Sequence, residues 1–417
     1  MKKALVLCGG GSLGSYEVGA WRYLRERGES FDIVCGTSIG AINGAMVALD
    51  AYEECLHLWE AVTIDKVMNE GFNISEDLLS NVRSITSEKF RKVVSNYIRN
   101  KGVDISPFKK LVQETIDPKK IKESKTTLGV VTTDCKTRKE VDIVLNEKPE
   151  NLILPYLHAS SACWPIFPME VIRGKKYIDG GYLNNLPIDF AIRLGAEEIV
   201  AVLLHSIPKE PQHPELMDLP FVKTIRPSRD TGTILYFEKD RLKNNIALGY
   251  LDAKKTFGAS TGFAYCFEKD DKYQKIASKT ALDFVKKNLY KTDEVRKALF
   301  PKTNAKPYRE LDYFIRALEI LGETFAIPPY EEWSVSDFVL ALQKKMESYK
   351  KEDIAWFEKQ KRKGSILGAI KYKDQFVVSL YRELKKGKKA DWVERYSNRS
   401  PEILYVYSLL QNLFVRQ

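Results

Sequence analysis

Phe31-Asp32-Ile33-Val34-Cys35-Gly36-Thr37-Ser38-Ile39-Gly40-Ala41 is the stretch that decides the fold. It opens as a short buried strand to Cys35. It turns sharply through Gly36–Gly40 and continues into a helix of small residues, Ala41, Gly44, Ala45 and Ala48. The turn reads Gly-x-Ser-x-Gly. That pattern is common by chance, but strand, tight turn and helix are the setting a nucleophile elbow demands. There the strained turn projects the serine Oγ, and the flanking glycines keep side chains from clashing. The positive N-terminal end of the following helix favours negative charge developing at Ser38. A serine that merely caps a helix is the competing reading; the setting favours the nucleophile.

Upstream, Ala4-Leu5-Val6-Leu7-Cys8 is a continuous apolar run, as in a strand covered on both faces. Gly9-Gly10-Gly11-Ser12-Leu13-Gly14 follows, then a helical pattern from Tyr16 to Arg27 closed by Gly28. Such a loop can hold an anion on backbone N–H groups at a helix N-terminus. A dinucleotide site would also need an acidic residue at the end of the second strand. Val34-Cys35 runs straight into Gly36 instead, so that reading fails.

Downstream, residues 51–125 read as mostly helical, including Val93 to Ile98. Strand signals return at Thr127–Thr133 and Glu140–Leu145, a hairpin. They recur at Val171-Ile172 and Tyr177-Ile178, which lead into Asp179-Gly180-Gly181. A helix from Ile188 to Leu194 and an apolar strand from Glu198 to Leu204 complete the alternation. The expectation is a three-layer α/β/α domain with a mainly parallel central sheet. Residues 233–257 read as helix, and Thr261 to Phe267 as a last strand of this domain.

A serine hydroxyl is a poor nucleophile until a base takes its proton. Asp179, at a strand end before two glycines, offers a carboxylate in an open turn. His205 and His213 are the alternatives for a Ser-His-Asp arrangement, but neither stands in a marked context. A Ser38–Asp179 dyad is the simpler reading. The glycine-loop amides and the N–H of Ile39 are candidate donors to a developing oxyanion. Gly14, Gly36, Gly40, Gly180 and Gly181 support these turns.

Together these blocks resemble the patatin-like phospholipase family: a glycine-rich loop, a Gly-x-Ser-x-Gly elbow and an Asp-Gly-Gly motif. So do Ala159-Ser160-Ser161-Ala162-Cys163-Trp164-Pro165-Ile166-Phe167-Pro168, Asn184-Asn185-Leu186-Pro187 and Gly195-Ala196. The resemblance covers roughly residues 3–265. It implies hydrolysis of lipid acyl esters, with Ser38 as nucleophile, Asp179 as base and the amides of Gly9, Gly10 and Gly11 as oxyanion hole. It implies no metal and no organic cofactor. One departure stands out: the family usually has Arg or Lys where this chain has Leu13. Its loss points to neutral acyl esters or to lower activity.

The chain has 417 residues, 44% hydrophobic and 29% charged, which excludes a wholly disordered polymer. The expected division is an acyl hydrolase domain over 1–270 and a basic, mainly helical domain over 271–417. The net charge of +10 lies entirely in the second part, which carries 30 Lys and Arg against 20 Asp and Glu. Nucleic-acid binding has no motif support beyond that charge. The six cysteines are dispersed, without a CxxC pair, and read as reduced thiols. The apolar run after Met1-Lys2-Lys3 is too short for a secretory signal, and no run is long enough to span a bilayer. The expectation is a cytoplasmic protein. The basic and aromatic segment Asp353–Leu384 is a candidate for peripheral membrane contact; burial in the tail's own core is the favoured reading. A transacylase with the same dyad, and a lipid-binding scaffold with a lapsed site, are the alternatives to a hydrolase. Head group, chain length, bond position and oligomeric state are not written in the sequence.

Overall fold

The computed structural model describes residues 1–69, 102–204, 211–301, 308–362 and 372–414. The chain divides into two compact units, Met1–Phe257 and Gly258–Gln417.

The first unit is built on one sheet, with strand order β5-β6-β3-β2-β1-β7-β8 and β4 attached to β3. Its strands are β1 (Lys3–Leu7), β2 (Ile33–Thr37), β3 (Thr127–Asp134), β4 (Lys139–Val144), β5 (Glu170–Ile172), β6 (Lys175–Asp179), β7 (Glu198–Val202) and β8 (Val222–Ile225). The pairs β1/β2, β1/β7, β2/β3 and β7/β8 are parallel. β3 pairs antiparallel with both β4 and β6, and β5 with β6. The central strands are continuous apolar runs because both their faces are covered: Leu5, Val6, Val34, Ile199 and Val200 are all buried. Helices pack around this sheet, which gives the α/β architecture expected.

Three helices follow the first strands: α1 (Ser15–Glu26), α2 (Ile39–Ala48) and α3 (Tyr52–Ala61). The helix Lys239–Thr256 crosses α1 with backbone almost touching backbone. A Cβ on Gly19 would lie 1.8 Å from the Ile246 carbonyl oxygen, and one on Gly249 1.9 Å from that of Tyr16. Only glycine permits that approach. Tyr16 Oη, buried at the same crossing, donates to Asp252 Oδ2 at 3.0 Å.

Two sequence expectations are refined by the structure, one strand went unread, and one expectation lies outside the described residues. The helix expected from residue 233 begins at Lys239, where the Glu238 carboxylate caps the amides of Asp240 and Arg241. The edge strand β8 was not read; it is four residues long and Lys223 interrupts its apolar character. The stretch Val93–Ile98 lies outside the described residues. The residues expected as one strand over 261–267 form two short strands, Ser260–Thr261 and Cys266–Glu268, antiparallel to each other and in the second unit, so the division falls at 257/258 instead of 270/271.

The second unit is mainly helical, with a small sheet of β9 (Ser260–Thr261), β10 (Cys266–Glu268) and β11 (Glu332–Trp333). Tyr265 and Phe267 enter its core beside Phe314, Phe338 and Leu342. The fully buried Glu319 accepts the amides of Phe263, Ala264 and Tyr265 at 2.6, 2.8 and 3.0 Å. Arg316 balances it at 3.0 Å. That carboxylate clamp binds residues 263–265 to the helix Glu310–Thr324 and accounts for the early boundary.

The segment Asp353–Leu384 supplies core. Phe357, Phe376, Val377 and Leu380 are buried in this unit, and Lys361 bonds to Glu358, Ser379 and Glu383. Ile366, Leu367 and Ile370 lie outside the described residues. Among the described side chains, Trp356 alone of the segment's large apolar residues is exposed.

Candidate active site

Ser38 and Asp179 are distant in sequence, yet a single strand edge brings them together. Residues Gly129–Val131 of β3 pair with both β2 and β4, so those two lie on opposite edges of β3. Residues Thr132–Asp134 pair with both β4 and β6, so β6 also lies opposite β4. β2 and β6 therefore share one edge, end to end. Thr37, the last residue of β2, is registered on Val131, and Asp179, the last of β6, on Thr132.

At this junction Ser38 turns the chain with φ 57° and ψ −124°, a left-handed conformation unusual for a residue with a Cβ. Such strain costs on the order of 1–3 kcal/mol and persists only where the surroundings impose it. The flanking glycines are sterically required. A Cβ on Gly36 would lie 2.2 Å from the Gly40 carbonyl oxygen, and one on Gly40 2.5 Å from that of Leu7. The Ser38 side chain makes no capping hydrogen bond to α2. Ser38 lies close enough to the Asp179 carboxylate to favour its charged form.

Asp179 is buried, and its Oδ1 accepts the Gly181 N–H at 2.7 Å. Burial pushes its pKa up to about 6, against the lowering effect of nearby Ser38 and of the Gly181 N–H. The carboxylate is thus a stronger base than an exposed one and is still ionised at neutral pH. Gly180 sits where a Cβ would meet the Val131 carbonyl oxygen at 2.4 Å. His213 is exposed on the surface with Nδ1 3.4 Å from Glu215, and His205 lies outside the described residues.

The glycine loop lies over the same junction: a Cβ on Gly9 would fall 3.1 Å from Ser38 Cβ. The Gly9 amide, however, donates to the Asn185 carbonyl at 3.1 Å. It is committed within the protein, contrary to its expected place among the free donors. Among the described residues no partner takes the amides of Gly10 and Gly11. Gly11 has φ +55°, and a Cβ there would lie 2.0 Å from the Ile234 carbonyl oxygen. Ser12 ties the loop down through its amide to Ile234 O at 2.8 Å and its Oγ to Thr233 O at 2.9 Å. Ile39 opens α2, so its amide is one of the helix's first N–H groups, which have no acceptor within the helix. Leu13 is buried in the core and only its backbone belongs to the loop.

Sequence reasoning missed the residues that hold this constellation. Ser160, fully buried at the end of the helix Glu150–Ser160, accepts the Ser38 amide at 3.0 Å and donates to Val131 O at 2.7 Å. Asn185 Nδ2 donates to Gly9 O at 3.0 Å. Gln212 accepts the Asn185 amide at 2.9 Å and donates to Gly181 O at 3.1 Å. Beneath the loop, Glu17 accepts the Cys8 amide and Asn43 Nδ2, each at 2.8 Å, and Asn43 Oδ1 accepts Trp59 Nε1 at 3.0 Å. Burial pushes the Glu17 carboxyl up to about 8. Ser160 and Asn185 stood inside the quoted motif blocks, but a block names residues without naming their partners.

The patatin-like phospholipase family model matches residues 5–192, which contain the loop, the elbow and Asp179. Residues 5–192 form a patatin-like phospholipase domain. Patatin-like phospholipase domain-containing protein 7 of Rattus norvegicus is 27% identical over 201 residues, 48% of this chain and 13% of that protein. Lysophospholipase NTE1 of Mycosarcoma maydis is 30% identical over 207 residues, 50% of this chain and 10% of that one. The chain thus spans only a small part of the length of these relatives. A solved structure of VipD from Legionella pneumophila covers 98% of this chain and 90% of its own at TM-score 0.42 and 14% identity. That is too distant a likeness to carry an argument. The patatin-like domain accounts for less than half the chain, and the second unit lies outside it. No described helix is long and apolar enough to cross a membrane.

Proposed function

We propose that the chain is a serine-dependent hydrolase of lipid acyl esters. The observation that carries this reading is the register that sets Ser38, held at a left-handed elbow after β2, next to the buried carboxylate of Asp179 at the end of β6. Ser38 Oγ attacks the ester carbonyl carbon as its proton passes to Asp179. The carbonyl oxygen becomes an oxyanion held by the amides of Gly10, Gly11 and Ile39, and α2 adds its positive end. Collapse of the tetrahedral intermediate expels the alcohol, which takes the proton from Asp179 and leaves an acyl-Ser38 ester. Water then attacks that ester while Asp179 accepts its proton, and the second collapse returns it to Ser38.

The lipid acyl ester as substrate class follows from the family of the domain and from the lysophospholipase named among its relatives. This chemistry needs neither metal nor organic cofactor. Leu13 lies in the core and leaves the backbone donors in place, which favours a working site over a lapsed one.

The test is hydrolysis of p-nitrophenyl acyl esters of rising chain length by wild type, Ser38→Ala and Asp179→Asn. Loss of activity in both variants is expected. Activity surviving in Ser38→Ala would remove the nucleophile assignment.

A further inference from the structure

The second unit carries an apolar surface that its own core does not use. The helix Gln274–Asn288 buries Ala277, Thr280 and Phe284. Leu282 and Val285 fall on the opposite side, 53% and 38% exposed. Leu289 and Tyr290, in the turn that follows, are 69% and 66% exposed. Leu282, Val285 and Leu289 follow the i, i+3, i+7 spacing of one helix face. Lys275, Lys279 and Lys286 stand on that same exposed face, at i−7, i−3 and i+4 from Leu282. Among the described residues none of the three lysines pairs with a carboxylate. Asp283, on the flank, accepts from Asn412 Nδ2 at 3.2 Å. The Tyr290 hydroxyl donates to Glu394 at 2.8 Å and fixes the ring in its exposed position.

Four neighbouring large apolar side chains in water are unfavourable unless something covers them. We propose that this face docks on an anionic lipid surface. Leu282, Val285, Leu289 and Tyr290 enter the headgroup boundary, and Lys275, Lys279 and Lys286 meet lipid phosphates. The charge fits, since residues 258–417 carry 31 Lys and Arg against 22 Asp and Glu. The choice of a lipid occupant rests on the proposed reading of the chain as a lipid hydrolase. The surface itself stands apart from Asp353–Leu384, whose described apolar residues are mostly core.

The test is co-sedimentation of the full chain with vesicles of phosphatidylcholine alone or with 30 mol % phosphatidylserine (about 100 mM salt). Hydrolysis of a short p-nitrophenyl ester is measured in parallel. The double variant Leu282→Glu/Leu289→Glu and the triple variant Lys275→Glu/Lys279→Glu/Lys286→Glu alter surface residues only. Each should retain the wild-type Tm and ester turnover, while partition onto anionic vesicles falls at least about tenfold. Unchanged partition in both folded variants would overturn the proposal, as would a wild type that ignores anionic vesicles, the result expected of a protein-docking face. Variant-dependent binding supports it even where no ester is hydrolysed, so the two readings fail separately.

Discussion

The backbone amide of Ser38 donates to Ser160 Oγ at 3.0 Å, and the same Oγ donates to the Val131 carbonyl at 2.7 Å. One buried hydroxyl thus fastens the strained elbow to the strand edge that carries Asp179. Ser160→Ala leaves two buried polar groups without partners, at about 1–3 kcal/mol each if neither finds water. The elbow is freed to relax away from Asp179. The expected outcome is kcat lower by about ten- to a hundredfold with KM little changed, because geometry and not substrate binding is lost. Equal kcat in wild type and variant would show that the elbow holds without Ser160.

Asp179 should trade stability for reactivity. Its carboxyl is raised from 3.8 to about 6, so the native state binds the proton more tightly than the unfolded chain does. That contribution is full below the unfolded pKa and is lost as pH rises towards 6. Asp179→Asn removes this pH dependence. Thermal unfolding at pH 8 should find the inactive variant more stable than wild type by up to about 3 kcal/mol. The gain should shrink below pH 4. A variant less stable at pH 8 would mean that its altered hydrogen bonding outweighs the desolvation of the charge.

The same group should set the pH–rate profile. A base must be ionised to accept the Ser38 proton, so kcat/KM should rise about tenfold per pH unit below 6 and level off above it. A rising limb centred near pH 7 with an exposed-histidine signature would instead point to a base other than Asp179.

Two glycines at positive φ should answer an alanine differently. At Gly28, φ +74°, nothing lies within 4 Å of the added Cβ, and Gly28→Ala should cost only the conformational ~1–2 kcal/mol. At Gly11, φ +55°, the Cβ meets a backbone carbonyl oxygen at 2.0 Å. Gly11→Ala must displace the loop or residue 234, and esterase activity should fall by two orders of magnitude or more. Denaturant melts and ester assays on both variants separate the two effects.

Leu13→Arg, which restores the cation usual in the family, should not raise activity. Leu13 is 1% exposed, so the guanidinium would enter a space filled by this chain's core. A loss of several kcal/mol is expected, whereas Leu13→Met should be nearly neutral. An active, stable Leu13→Arg protein would show that the loop swings the side chain outward.

The elements that repeat a local rule were legible in the sequence. The runs Ala4–Cys8 and Glu198–Leu204 announce strands covered on both faces, and Gly36–Gly40 announces an elbow, because steric need is written in the residue itself. What holds the site was not legible. Ser160 acts on Ser38 across more than a hundred residues, and Gln212 spans Gly181 and Asn185 from a loop with no pattern. The engagement of Gly9 depends on Asn185, which only the folded chain brings near. Thr261–Phe267 has the composition of a strand in either unit; a buried Glu319, in the helix Glu310–Thr324, holds residues 263–265 and assigns them to the second. Amphipathic composition at 353–384 could not distinguish an outward face from a core face, since both need the same apolar residues.

Because β2 and β6 are set end to end on β3, the spacing of Ser38 and Asp179 is governed by a single peptide step, from Val131 to Thr132. The intervening chain acts on it only where a side chain reaches back, as Ser160 does to the Ser38 amide. The turn between β3 and β4, residues 135–138, can lengthen, shorten or exchange without moving Ser38 relative to Asp179. A one-residue deletion inside β3 would separate them at once. The spacing of Ser38 and Asp179 is thereby inherited with the strand pairing itself, independently of the length of that turn.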